Sequence, residues 1–105
     1  MSDALIETMI QTKGLTAPRV TPERIESVIV AEQYYVFPGT TLTVCALTLV
    51  NGYTVTGESA CASPENFDLG IGQMAARDHA VQKIWELEGY AFRERLAVIK
   101  GLQST

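Results

Sequence analysis

The sequence predicts an α+β fold: a three-stranded antiparallel β-meander, preceded by N-terminal helices and covered by a long kinked C-terminal helix pair. Three observations point there. Apolar residues recur at helical spacing ahead of the aromatic run at Tyr34 and again beyond Asn66. From Gln33 the apolar period changes to two. Asn51-Gly52 then joins two alternating runs, the dipeptide that most strongly signals a hairpin. At 105 residues the chain reads as a single domain with one modest core. Residues 1–20 form an N-terminal helical extension to it, and 21–105 form the α+β core.

In chain order, Asp3 to Lys13 places Leu5, Ile6, Met9 and Ile10 on one helical face, with Ser2 as N-cap and Gly14 as the stop. Leu15 to Val20 contains Pro18 and reads as a linker. Thr21-Pro22-Glu23 starts a second helix with a capping hydroxyl, a proline at the first helical position and an acid in the first turn. Its apolar stripe is Ile25, Val28 and Ile29, and it is expected to end near Val30. Tyr34 to Phe37 is a short strand, Pro38 to Thr41 a turn, Leu42 to Val50 the longest strand, and Tyr53 to Ala60 the return strand.

A two-residue type I′ turn at Asn51-Gly52 fixes the register. Val50 then faces Tyr53, Thr48 faces Val55, Ala46 faces Gly57 and Val44 faces Ser59, all on one side of the sheet, with Tyr53 and Val55 marking the core. The other side pairs Leu49 with Thr54, Leu47 with Thr56 and Cys45 with Glu58. Its leucines call for a cover, for which a partner subunit is the simplest source.

Ser63-Pro64-Glu65 repeats the helix-start signal. Phe67, Ile71, Met74, Val81, Ile84 and Trp85 follow on one stripe, with Ala75 and Ala80 beside it. Gly70 and Gly72 each cost such a helix about 1 kcal/mol against alanine, so close packing on the sheet is their expected reason. Gly89 ends or kinks the helix. The last helix turns Phe92, Leu96 and Ile99 inward and Arg93, Glu94 and Arg95 outward.

Apolar residues make up 47% of the chain and charged residues 19%, an ordinary globular balance. No apolar run approaches bilayer length and no signal core opens the sequence, so the expected compartment is cytoplasm, with no membrane partner. Cys45 and Cys61 form no close pair and are expected to be reduced. The net charge of −4 argues against duplex nucleic acid, whose sequence-independent affinity needs a basic face. A nucleotide-sized anion remains compatible with it.

Catalytic signals are sparse. His79 is the sole histidine and has no histidine at i+4, so no metal site is expected. Gly70-Ile71-Gly72 resembles a dinucleotide fingerprint in letters but falls inside a helix rather than between strand and helix. Ser59 lacks the flanking glycines of a nucleophile elbow. Glu58, Glu65 and Asp68 show no acid/base spacing that sequence can fix. The expectation is a protein that is not an enzyme and holds no cofactor. What remains is a modest cationic set, Arg77, Lys83, Arg93 and Arg95, with aromatic faces at Phe67, Tyr53 and Tyr90. Arginine forks hold phosphate and aromatic rings stack bases. The same residues also read plainly as solvated helix surface and core.

Phe-Pro-Gly-Thr-Thr-Leu-Thr-Val-Cys at 37–45, Asn-Gly-Tyr-Thr-Val-Thr-Gly-Glu-Ser-Ala-Cys at 51–61, Pro-Glu-Asn-Phe-Asp at 64–68 and Lys-Ile-Trp at 83–85 resemble a family of small bacteriophage proteins catalogued by gene-product number. The four blocks agree in order and spacing from about Thr21 to Leu96. That family is similar to the phage inhibitors of the Thoeris defence system, which sequester cyclic ADP-ribose signals without chemistry. The resemblance implies an anti-defence protein in the host bacterial cytoplasm. It would be a homo-oligomer that traps a cyclic nucleotide between subunits through Asn66, Phe67, Arg77, His79 and Arg93 or Arg95. Two alternatives stand beside it: an inhibitor that blocks a host defence enzyme through a helix face, and a phage accessory protein without a ligand.

Overall fold

The computed structural model describes residues 3–14 and 18–101. The Ser2 cap and residues 15–17 of the expected linker lie outside them. The fold is α+β, in the order α1 (Asp3–Thr12), α2 (Pro22–Ser27), β1 (Ile29–Val36), β2 (Leu42–Leu49), β3 (Thr54–Ala60), a 3-10 turn (Pro64–Asn66) and α3 (Leu69–Ile99). By packing the chain forms two compact units: Val28–Ile84, and Met1–Ser27 together with Trp85–Thr105.

The first unit is the meander, with strand order β1-β2-β3, and residues 69–84 of α3. Its register differs by one residue from the sequence expectation: Leu47 pairs with Val55, Cys45 with Gly57 and Thr43 with Ser59. The turn is the cause. The Gly52 N–H donates to the Leu49 carbonyl at 2.8 Å, and the Leu49 N–H donates to the Tyr53 carbonyl at 2.8 Å. Gly52 has φ +90° while Asn51 stays at negative φ. The loop is therefore three residues, a type I turn closed by a left-handed glycine, and not a two-residue type I′ turn. Because side chains alternate, one residue of slip exchanges the two faces of β2. Thr43, Cys45, Leu47 and Leu49 are buried, whereas Val50 and Tyr53 are exposed. Val55 is buried as expected.

The leucines expected to await a partner thus lie in the core, beneath α3. Ala76, Ala80, Val81 and Ile84 supply the helix side of that core. Val81, Ile84 and Ala80 face inward as the helical pattern suggested, but in the first turns Ala76 takes the inward position while Ile71 and Met74 are 68% and 74% exposed. Gly57 explains the choice. A Cβ there would lie 2.3 Å from the Ala76 carbonyl oxygen and the Ala80 nitrogen, so the helix backbone rests directly on β3.

The second helix stops earlier than its stripe implied. Val28 already pairs as a strand residue, its carbonyl accepting from Val50 N–H at 2.8 Å, and Ile29 opens β1. A β-branched run, Val28-Ile29-Val30, favours strand over helix. The register shifts between Ile29 and Ala31, placing a bulge at Val30.

In the other unit, Gly14 ends α1 at φ +68°, as expected. The Thr21 hydroxyl accepts from Arg24 N–H at 3.2 Å and caps α2. Trp85 Nε1 donates to Asp3 Oδ2 at 2.8 Å, Arg24 pairs with Glu88 at 2.8 Å, and Arg19 pairs with Glu7. One helix replaces the expected pair, because α3 runs unbroken through Gly89 and stops only ahead of Gly101. A glycine within a long helix costs about 1 kcal/mol, too little to break it. Ile99, expected inward, is 79% exposed.

Candidate ligand-binding cleft

A meander brings its first turn and the end of its third strand to the same edge of the sheet, and here the chain builds a cleft between them. The Pro38–Thr41 turn is tied by Thr40, whose N–H and hydroxyl both donate to the Phe37 carbonyl, at 3.1 and 2.7 Å. The Thr41 hydroxyl donates to the Cys61 carbonyl at 2.6 Å, joining the turn to the residue after β3. The Cys61 thiol donates to the Ser63 carbonyl at 3.1 Å.

The segment 63–68 forms the far wall. Sequence reasoning starts the long helix at Pro64, but Phe67 is extended, with φ −66° and ψ 127°, so Pro64–Asn66 makes only a 3-10 turn. The helix begins after Asp68, whose Oδ1 accepts the Ile71 N–H at 2.9 Å as an N-cap. This break directs Phe67 into the cleft; a Cβ on Gly72 would lie 3.7 Å from its Cε1.

Two cavities result, of about 240 Å³ and about 480 Å³. They share Thr41, Cys61 and Phe67. Ser59, Asn66 and Asp68 add polar groups to the smaller, and Gly39, Thr40 and Pro64 line the larger. Among the described residues, no lysine or arginine lines either. The Ser63 hydroxyl donates to Glu65 at 2.7 Å and holds its carboxyl below the ordinary range. The arrangement offers an aromatic face, hydroxyl and amide hydrogen-bonding groups, and an acidic rim.

Of the six residues named from sequence, Asn66 and Phe67 meet in this cleft. Arg77 and His79 are two positions apart on α3 and point to opposite flanks, since each residue turns about 100°. Arg77 reaches β1, where Nε and Nη2 lie 3.1 and 3.0 Å from Glu32 Oε2. The Arg77 hydrogen bond, and after it the Tyr34 hydroxyl at 2.8 Å from Oε1, holds the Glu32 carboxyl below its ordinary value. Burial in turn pushes the Tyr34 hydroxyl and the Cys45 thiol up.

His79 reaches β3, where its Nδ1 accepts the Glu58 backbone N–H at 3.0 Å and covers a donor on the sheet edge. Arg93 and Arg95 belong to the other compact unit and are exposed, with Arg95 5.6 Å over the Phe92 ring. Thr41, Ser59 and Cys61 were not named as ligand contacts from sequence. The signal was available in the connectivity, because the first turn of a meander and the end of its last strand share an edge.

Among the described residues, no three His, Cys, Asp or Glu side chains converge as a metal site. None of the described helices is long and apolar enough to cross a membrane. Residues 20–96 match the model of a phage protein family described as N4 Gp49/phage Sf6 gene 66, and the chain belongs to that family. No curated protein and no solved structure matches it.

Proposed function

We propose that this phage protein is a non-catalytic sponge of the host cytoplasm, sequestering cyclic nucleotide immune signals such as cyclic ADP-ribose isomers and cyclic di- or trinucleotides. The observation that carries the reading is the cleft around Phe67. The larger of its two adjoining cavities, about 480 Å³, falls in the range of small-molecule sites, and the lining suits a ring and several hydroxyls. Sequestration requires affinity alone. The side chains around Phe67 act by stacking and hydrogen bonding, which suits a binder rather than an enzyme.

Self-association belongs to the same proposal. The outer face of the sheet carries Tyr35, Val44, Ala46, Thr48 and Thr56, with Glu58 the sole charged residue among β1–β3 positions on that side. A chain of net charge −4 repels its own copy except through such a face. A second reading, inhibition of a host protein through a helix face, draws on the exposed Ile71 and Met74 of α3.

A thermal-shift series against the cyclic nucleotides tests the proposal. A ligand at a thousandfold excess over its Kd adds about 4 kcal/mol, and at about 4 °C or more per kcal/mol the expected rise is about 15 °C. Phe67→Ala is expected to abolish it. No shift with any member of the series sinks the reading, and loss of anti-defence activity in Ile71→Ser/Met74→Ser with ligand binding intact favours the second.

A further inference from the structure

The charge of the cleft is opposite to what a phosphate site requires. Asp68 lines the smaller cavity, and Glu65 belongs to the 3-10 turn just ahead of Phe67. The N-terminus of α3 gives little help to an anion. Asp68 Oδ1 already accepts the Ile71 N–H, and the Asp68 carbonyl accepts the Gly72 N–H at 2.9 Å. A carboxylate thus occupies the place where a phosphate oxygen would sit. The arginine on the first half of α3, Arg77, is directed to Glu32 on β1.

What the cleft does offer is neutral recognition. The Phe67 ring is half-buried and borders both cavities. Around it stand Asn66, Ser59 and Thr41, whose hydroxyl donates to the Cys61 carbonyl and keeps its acceptor capacity. An aromatic face stacks any heteroaromatic ring, while an amide and two hydroxyls match sugar hydroxyls and ring nitrogens in both donor and acceptor sense.

We infer that the cleft reads the uncharged nucleoside part of its ligand, the heteroaromatic ring on Phe67 and the sugar hydroxyls on Thr41, Ser59 and Asn66, and supplies no cation to the phosphates. This rests on the sponge reading and sharpens it. The consequence is a sign. A phosphate clamped by arginine loses affinity as salt screens the attraction, whereas a phosphate held near Asp68 gains affinity as salt screens the repulsion.

The experiment is calorimetric titration of the full chain with adenosine, 5′-AMP and cyclic ADP-ribose at 50 mM and 500 mM NaCl. The expected result is that adenosine binds within about tenfold of cyclic ADP-ribose. Affinity for both nucleotides is expected to hold or rise by a few-fold at high salt. Asp68→Asn, which retains an N-capping side chain, is expected to tighten 5′-AMP a few-fold relative to adenosine. If cyclic ADP-ribose binds, adenosine does not, and raising the salt weakens binding about tenfold or more, phosphate is the recognised group; this inference fails and the sponge reading stands. Failure of adenosine and the cyclic nucleotides alike to bind the folded protein overturns both.

Discussion

Replacing Gly57 with alanine tests the central packing contact of the sheet unit. The new Cβ would stand 2.3 Å from both the Ala76 carbonyl oxygen and the Ala80 nitrogen. Carbon–oxygen contacts between backbones settle at about 3.3 Å, so helix and strand must part by about 1 Å. Both obstructing atoms are helix backbone, which has no alternative rotamer to adopt. Overpacking costs about 1–3 kcal/mol in general, and the rigidity here places Gly57→Ala at about 3 kcal/mol. At about 4–8 °C per kcal/mol for a domain of this size, the melting temperature falls by about 12 °C or more. Gly89→Ala supplies the control. Nothing lies within 4 Å of its Cβ position, and it sits within α3. The same chemical change there is expected to stabilise by about 0.5–1 kcal/mol. Circular dichroism at 222 nm during heating and in urea reads both. A Gly57→Ala protein within about 1 kcal/mol of the parent would refute the backbone contact.

Three further outcomes follow from the geometry. Arg77→Ala is expected to lower stability by about 1 kcal/mol through the half-exposed Glu32 pair and to leave ligand shifts intact, whereas Phe67→Ala removes the shifts; thermal scans with and without cyclic nucleotide separate the two. The depressed Glu32 carboxyl stabilises the fold above the ordinary carboxylate value of about 4.3, and that stability is lost as pH falls through its lower folded value. The gap in urea midpoint between parent and Glu32→Gln should therefore shrink from pH 7 to pH 3. Asp68→Ala removes the cap on Ile71 N–H and should cost about 1 kcal/mol in urea unfolding, with Asp68→Asn close to the parent.

The elements were legible where the signal is local. The Thr21 cap, the Gly14 stop, three strands in meander order and a long C-terminal helix all follow from turn chemistry and periodicity. What escaped depends on events one residue wide. Asn-Gly serves either a two-residue or a three-residue loop, and the choice between them exchanged the faces of β2. Helical patterning ranks Ile71 and Met74 above Ala76 and Ala80, since it counts apolar size. It knows nothing of Gly57, whose close approach to the helix backbone falls at Ala76 and Ala80. The site was half legible: Asn66 and Phe67 were found because they follow a helix-start signal, although Phe67 reaches the cleft only because that helix starts late. The Arg77 pairing was not legible because its partner Glu32 lies 45 residues away in the chain.

Recovery of a bound signal tests the proposed function most directly. The protein is mixed with cyclic ADP-ribose, passed through a size-cutoff filter, and the retained fraction is heated and analysed by mass spectrometry. The account predicts that the ligand is held back in proportion to protein and returns chemically unchanged, and that Phe67→Ala lets it pass. A converted product would identify an enzyme, and a ligand that passes the filter freely alongside the parent protein would contradict sequestration.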